Sequence, residues 1–116
     1  MDPRISDSRI RLVSGDTGPQ IRLTLTDEVV GAPVDLTGAA ASLHFKSSLA
    51  GTVLFSRALT IPAATASSGV AIVVWGITDL TRPAGDYEGE IEVLFPSGVR
   101  QTVYDTLKFR LREQFA

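Results

Sequence analysis

Residues Gly15–Gly38, with the sequence GDTGPQIRLTLTDEVVGAPVDLTG, contain a strict two-residue alternation bounded by turns. Within Pro19–Thr26 the aliphatic residues Ile21, Leu23 and Leu25 alternate with Arg22, Thr24 and Thr26. A period of two places the aliphatic side chains on one face of a strand and the polar ones on the other. Clusters of Gly, Pro, Asp and Thr precede and follow it, and such clusters form turns. The pattern predicts a half-buried antiparallel strand against which later strands pack.

Composition sets limits on what this chain is. Its 116 residues correspond to one domain that is able to bury a core without staples. The 44% hydrophobic and 21% charged content is ordinary for a globular chain, which argues against disorder. There is no Cys, so a disulfide, a thiol nucleophile and a thiolate metal site are excluded. No basic stripe, secretory signal or membrane-length apolar run occurs, so we expect a soluble protein made in the cytoplasm, with no nucleic-acid or membrane partner.

Seven segments of the chain carry strand patterns separated by turn residues. They are Arg9–Val13, Pro19–Thr26, Ala39–Lys46, Thr52–Leu59, Gly69–Gly76, Gly85–Phe95 and Val99–Arg112. Between them, Ile61–Ser68 predicts an irregular connection with at most one helical turn, because Pro62 and the missing apolar stripe oppose a helix. This spacing predicts an all-β, immunoglobulin-like antiparallel β-sandwich over residues 9–116. Residues 1–8 are expected to be flexible or held by a partner.

The last two strands predict a hairpin closed by Pro96-Ser97-Gly98. If Phe95 pairs with Val99, Glu88 lies opposite Thr106 and diagonal to Lys108, where opposite charges support the pairing. Asp105 falls on the inward side of this scheme. A bulge, a satisfied buried carboxylate and an edge position all remain open for Asp105.

The residues with catalytic or metal-binding side chains do not form a recognisable motif. His44 lies on the polar side of its strand, and a solvent- or partner-facing role is favoured over catalysis or metal binding because no second histidine exists. Glu88, Glu90 and Glu92 follow one another at period two, about 7 Å apart, so they form a solvated row and do not converge. We therefore expect no catalytic, cofactor-binding or metal-binding residues, and no enzyme.

The segment Gly69–Gly76, GVAIVVWG, is apolar on both of its predicted faces. A two-layer sandwich normally leaves one face of each sheet in water, so the second apolar face needs a cover. The chain's own loops provide one explanation. The other is a partner protein that contacts Trp75, with Val73 and Ala71 beside it; His44 is a further interface candidate.

Turn chemistry assigns structural roles to four residues. Asp35 and Gly38 are placed to open and close an Asx-type turn. Gly85 lies where a loop enters a strand, and Tyr87 follows where many sandwiches place a tyrosine that hydrogen-bonds back to the preceding corner. A binding-site role for Tyr87 is the alternative.

The order GDTGPQIRLTLTD, GAPVDLTGAAASLHFK, GVAIVVWG and AGDYEGEIEVLFPSGVRQTV, over residues 12–105, resembles a family of bacteriophage structural domains. These are the immunoglobulin-like domains similar to the N-terminal domain of phage baseplate upper proteins. The resemblance implies a β-sandwich located in the virion, assembled in the host cytoplasm and present in several symmetric copies. It implies other phage structural proteins as partners and supplies no catalytic residues.

Three functions follow as expectations from this resemblance and from the residues. The first is a small adaptor or connector in a phage tail, baseplate or fibre-attachment region. The second is a head decoration or head–tail connection protein. The third, of a different class, is a receptor- or carbohydrate-binding module.

Overall fold

The computed structural model describes residues 3–4, 10–18, 20–27, 29–49, 51–103 and 106–114. Its strands are β1 (Pro3–Arg4), β2 (Ile10–Val13), β3 (Ile21–Thr24), β4 (Thr26–Asp27), β5 (Ala40–Ser47), β6 (Val53–Ala58), β7 (Val70–Val73), β8 (Gly85–Leu94), β9 (Arg100–Thr102) and β10 (Leu107–Arg112). Within these residues the one helix is a 3₁₀ helix, Ala63–Ser68, and no helix is long and apolar enough to cross a bilayer. Each of the seven predicted strand segments overlaps at least one of these strands.

Two layers form an immunoglobulin-like β-sandwich, which confirms the predicted fold class. The larger sheet has the order β2-β10-β8-β5-β6, with β9 paired to the far end of β8. All of its pairs are antiparallel except β2 with β10, which is parallel. The facing layer is the β3–β7 pair, extended by a bridge between Thr60 and Ile72. β1 pairs with β4, so part of the segment expected to be flexible or partner-held is paired; the rest of 1–8 lies outside the described residues.

The alternation around β3 is confirmed, and its aliphatic side faces the core. Leu23 and Leu25 are 5% and 0% exposed, whereas Arg22 and Thr24 are exposed. The strand breaks at Leu25, because its N–H donates to the carbonyl of Gly69 and its carbonyl accepts from Val34. Gly69 ends the 3₁₀ helix at φ 78°, and a Cβ there would lie 2.4 Å from the carbonyl oxygen of Leu25. Only glycine allows this approach.

An aromatic cluster lies between the two layers. Phe45, fully buried on β5, stacks on Phe55 at 4.8 Å and on Tyr87 at 5.2 Å between ring centroids. Phe109 lies 5.2 Å away, and Trp75 meets Phe45 edge-on at 5.9 Å. Such pairs add about 0.5–1.5 kcal/mol each to the gain from burial. The core is thus centred on the middle strands of the larger sheet.

The final hairpin forms as predicted at its turn but with a different register further on. The N–H of Phe95 donates to the carbonyl of Val99. Thr102 on β9 is opposite Glu92 and Leu107 on β10 is opposite Gly89, so an advance of five positions from Thr102 matches an advance of three along β8. This slip of two residues brings Lys108 directly opposite Glu88, so the predicted pairing of Glu88 with Thr106 is wrong. The change of register lies between β9 and β10, which are separate strands. Asp105 lies outside the described residues.

Candidate functional site

The predicted interface residues on and after β7 are buried inside the protein. Trp75 is 5% exposed, and Val73 and Ala71 are 0% exposed. Trp75 packs edge-on against Phe109 at 5.8 Å and Phe55 at 6.4 Å. The proposed contact of these three residues with a partner is therefore wrong for the folded chain, since the facing sheet already covers them.

The cover on the other side of β7 also comes from the chain itself. Val70 is buried and Ile72 half-buried, next to the 3₁₀ helix and the Thr60 bridge. Val74, where the strand has ended, is 40% exposed. The apolar character of GVAIVVWG on both faces thus reflects the local loops, which was the first of the two explanations.

The residues with predicted turn roles behave as expected. The hydroxyl of Tyr87 donates to the carbonyl of Pro83 at 2.7 Å, which is the corner bond of many sandwiches. The N–H and hydroxyl of Thr37 donate to Asp35 at 3.0 and 2.6 Å, and these bonds lower the pKa of Asp35. Gly38 completes the turn at φ 73°, and Gly85 begins β8.

Sequence reasoning missed a buried ion pair between Asp79 and Arg57. Asp79 is 4% exposed and accepts hydrogen bonds from Arg57 Nε at 2.8 Å, Arg57 Nη2 at 2.6 Å and the N–H of Gly76 at 2.7 Å. Burial raises the pKa of Asp79, but these bonds and the charges of Arg57 and Arg82 outweigh it and lower the pKa overall. The pair ties β6 to the turn before β8. Its residues lie 22 positions apart, so no local pattern indicates it.

The side of the larger sheet that faces away from the core is called here the outer face. Its residues alternate with core residues along each strand. The polar ones include Arg11, Ser42, His44, Lys46, Ser56, Asp86, Glu88, Glu90, Glu92, Arg100, Thr102, Lys108, Arg110 and Arg112, and the apolar ones include Val13, Ala40, Ala58 and Leu94. His44 is therefore on the polar side, as predicted. The glutamates form a row along β8, also as predicted.

Charges on the outer face are sorted by strand. The acids occupy β8, and cations lie on both sides of it. Three ion pairs join β8 to its neighbours: Lys46–Glu88 at 3.7 Å, Arg110–Asp86 at 3.0 Å and Arg100–Glu92 at 4.0 Å. His44 Nε2 also lies 3.9 Å from Glu92 Oε1. All involve partly exposed groups, so each contributes little stability, typically 0–1 kcal/mol.

One set of side chains on the outer face has the composition of a hydrolase triad but not its geometry. It consists of Ser56, His44 and Glu92. His44 Nδ1 is 2.6 Å from Ser56 Oγ, and His44 Nε2 is 3.9 Å from Glu92 Oε1. An acyl-transfer site also needs convergent N–H donors for the oxyanion. Successive N–H groups of a strand point in opposite directions, so Ser56 on β6 has no such pair beside it. The arrangement is a cross-strand polar contact.

Hollows on the surface do not add a metal centre among the described residues. No group of three or more His, Cys, Asp or Glu side chains is close enough there to hold a metal ion. One hollow, about 570 Å³, lies between the β5–β6 turn and the corner at 82–87, with Leu49, Leu54 and Pro83 in its wall. A smaller one, about 380 Å³, lies over β2 and β10 and is bordered by arginines.

Comparison with known proteins supports the fold and corrects the expected function. No family model matches the chain, and no curated protein is significantly similar to it. A solved structure, CopC from Methylosinus trichosporium OB3b, aligns with a TM-score of 0.58 over 98% of this chain and 97% of its own, at 12% identity. That likeness is one of fold, a β-sandwich.

The expected virion role is wrong by this comparison, because a solved structure that matches along nearly the whole chain is CopC, which is not a phage virion protein. The correction covers the tail adaptor and its alternatives, the head protein and the receptor- or carbohydrate-binding module. The resemblance to baseplate upper proteins is matched by no family model and stays a prediction. What the comparisons establish for this chain is therefore its β-sandwich fold.

Proposed function

We propose that this chain is a binding domain without catalytic activity, which recognises another protein through the outer face of its larger sheet. The observation that carries the proposal is the sorting of charges on that face, with an acidic row on β8 between strands that carry cations. Such ordered patches steer and orient a protein partner more than they add affinity.

The shape of the outer face supports recognition of a macromolecule. The strands of this sheet contain 37 residues, which at a rise of about 3.3 Å and a spacing of about 4.8 Å give a surface of the order of 600 Å². A stable interface buries about 800 Å² on each partner. None of the residues named above for this face is buried.

The chemistry of the face supports binding over turnover. Its one histidine is held against Ser56 without oxyanion donors, and its carboxylates stand in a row along one strand. A fluorophosphonate probe tests the proposed lack of catalytic activity, because it labels activated serines. We expect no labelling of Ser56 in the folded chain; labelling that disappears in Ser56→Ala or His44→Gln contradicts the proposal.

Site-specific photo-crosslinking in the source cells tests where a partner binds. Benzoylphenylalanine at Thr102, exposed on the outer face, is expected to give a discrete protein adduct. The matched control carries it at Thr24, exposed on β3 in the opposite sheet. The yield of the adduct at Thr102 should change when Glu88 and Glu92 are both replaced by Lys. An adduct of twice the chain mass identifies the partner as a second copy.

Two results contradict the proposed face. One is equal cross-linking from Thr24 and Thr102. The other is an adduct at Thr102 that the double charge reversal leaves unchanged in a folded protein, which thermal unfolding verifies.

A further inference from the structure

Three arginines lie together on the outer face where β2 meets β10, and this group is called here the arginine cluster: Arg11, Arg110 and Arg112. Arg11 is directly opposite Arg110 in the parallel pairing, and Arg112 lies one outward position further along β10. Lys108 precedes them on the same side of β10. Like charges directly opposite each other on neighbouring strands destabilise a sheet.

Carboxylates of the described residues compensate this cluster only in part. Arg110 pairs with Asp86 at 3.0 Å. Arg112 donates to the carbonyl of Glu113 at 2.9 Å and has a further interaction. Arg11 is exposed and forms no ion pair with any residue that the structure describes. The cluster is thus a basic site in a chain whose net charge is −2.

The cluster borders a hollow of about 380 Å³, and Leu12 and Val13 complete its wall. This volume is within the range of about 300–1,000 Å³ typical of ligand sites. A guanidinium group presents a planar fork of donors that binds a carboxylate through two parallel hydrogen bonds. The hollow therefore has both the size and the donors for acidic side chains.

The position of β2 in the sheet indicates how such side chains arrive. β2 is the terminal strand of its sheet, and no described strand pairs with its outer edge. An extended segment that adds to such an edge forms main-chain hydrogen bonds and places alternate side chains on the same face. A Glu or Asp opposite Arg11 would form a cross-strand ion pair that offsets the repulsion between Arg11 and Arg110.

The neighbouring acids argue against a long polyanion as the occupant. The β8 row lies two strands from β2, about 10 Å away, a distance close to the Debye length at physiological salt. Nucleic acid crossing the face would meet Glu88, Glu90 and Glu92. A short acidic strand at the β2 edge avoids them.

We infer that the β2 edge and the arginine cluster bind an extended acidic segment of a partner protein, in which Asp or Glu alternates with other residues. This inference rests on the proposed function, and it names the part of the outer face and the partner chemistry.

Titration with synthetic peptides, followed by amide NMR shifts of the full chain, tests the inference. The probe is a capped peptide of alternating Glu and Thr, and a peptide of alternating Gln and Thr is its neutral counterpart. We expect shifts confined to β2 and β10 with the acidic peptide, and affinity that falls as salt rises. Arg11→Glu should weaken binding at least tenfold. Arg22 is an exposed arginine on β3, and Arg22→Glu should leave the affinity for the acidic peptide unchanged.

Arg11→Glu should remain folded, because it removes one member of a like-charged pair; its melting temperature verifies this. No shifts with the acidic peptide at millimolar concentration overturn the inference. Equal weakening of peptide binding by Arg11→Glu and by Arg22→Glu also overturns it. So does binding of inorganic phosphate with the same affinity as the acidic peptide, because the cluster would then bind an adventitious ion only. If the cross-link at Thr102 persists unchanged in Arg11→Glu, the proposed function stands and this inference fails.

Discussion

Replacement of Arg57 by Met removes the cation from the buried ion pair and keeps most of the side-chain stem. Asp79, 4% exposed, then loses two hydrogen bonds, at 2.8 and 2.6 Å, and keeps the one from the N–H of Gly76. Removing one partner of a buried pair costs about 3–5 kcal/mol. The Arg57 side chain is 40% exposed, so water compensates part of this. We expect a loss of about 2–3 kcal/mol at pH 7, or a melting temperature lower by about 8–12 °C.

The pH dependence of this loss gives a sharper test. The folded pKa of Asp79 lies below its ordinary value, so the carboxylate stabilises the wild type above the unfolded pKa of about 3.9. That contribution disappears as pH falls through the folded pKa. In Arg57→Met, burial is opposed only by the N–H of Gly76 and the charge of Arg82, so the pKa of Asp79 is higher than in the wild type. The difference between variant and wild type should therefore narrow between pH 7 and pH 3.

Urea unfolding at both pH values measures this difference. Arg100→Met is the matched control, because Arg100 is 65% exposed and lies 4.0 Å from Glu92; its cost should stay below about 1 kcal/mol. The reasoning is refuted if Arg57→Met is as stable as the wild type at pH 7. It is also refuted if the loss is the same at pH 7 and pH 3.

Three further substitutions test the core, each by thermal and urea unfolding. Gly89→Ala should cost about 1–3 kcal/mol, because a Cβ there would lie 2.5 Å from Leu43 Cδ1; a neutral effect contradicts this packing. Trp75→Ala should cost about 3–5 kcal/mol, since the ring is buried among Phe45, Phe55 and Phe109. A melting temperature equal to that of the wild type would contradict the burial of Trp75. Tyr87→Phe should cost about 1 kcal/mol through the lost bond to Pro83, and no change would show that this bond contributes nothing.

The family resemblance predicted the fold class correctly and the function incorrectly, and this difference has a physical reason. The quoted motifs consist mainly of turn residues and alternating strands, as in Asp35–Gly38 with its Asx turn. Such residues specify backbone geometry, and unrelated proteins with one fold share them. Surface chemistry, which decides partners, is contributed by the outward positions between them.

Local sequence determined the strands of this protein and the direction of most side chains. Two-residue alternation placed Leu23 and Leu25 inside and His44 outside, since side-chain direction follows from the backbone period alone. Turn chemistry likewise determined the Tyr87 corner, because its partner Pro83 is only four residues away. These features depend on neighbours in the chain, so they are readable from it.

Tertiary structure alone decided which distant residues meet. The parallel pairing of β2 with β10 brings Arg11 opposite Arg110, 99 positions along the chain, and the two-residue slip before β10 brings Lys108 opposite Glu88. It also decided that Trp75 is covered by the facing sheet and that Arg57 meets Asp79. Periodicity fixes the side of a strand on which a residue lies, but strand order and register, which depend on the packing of the whole core, fix what lies next to it.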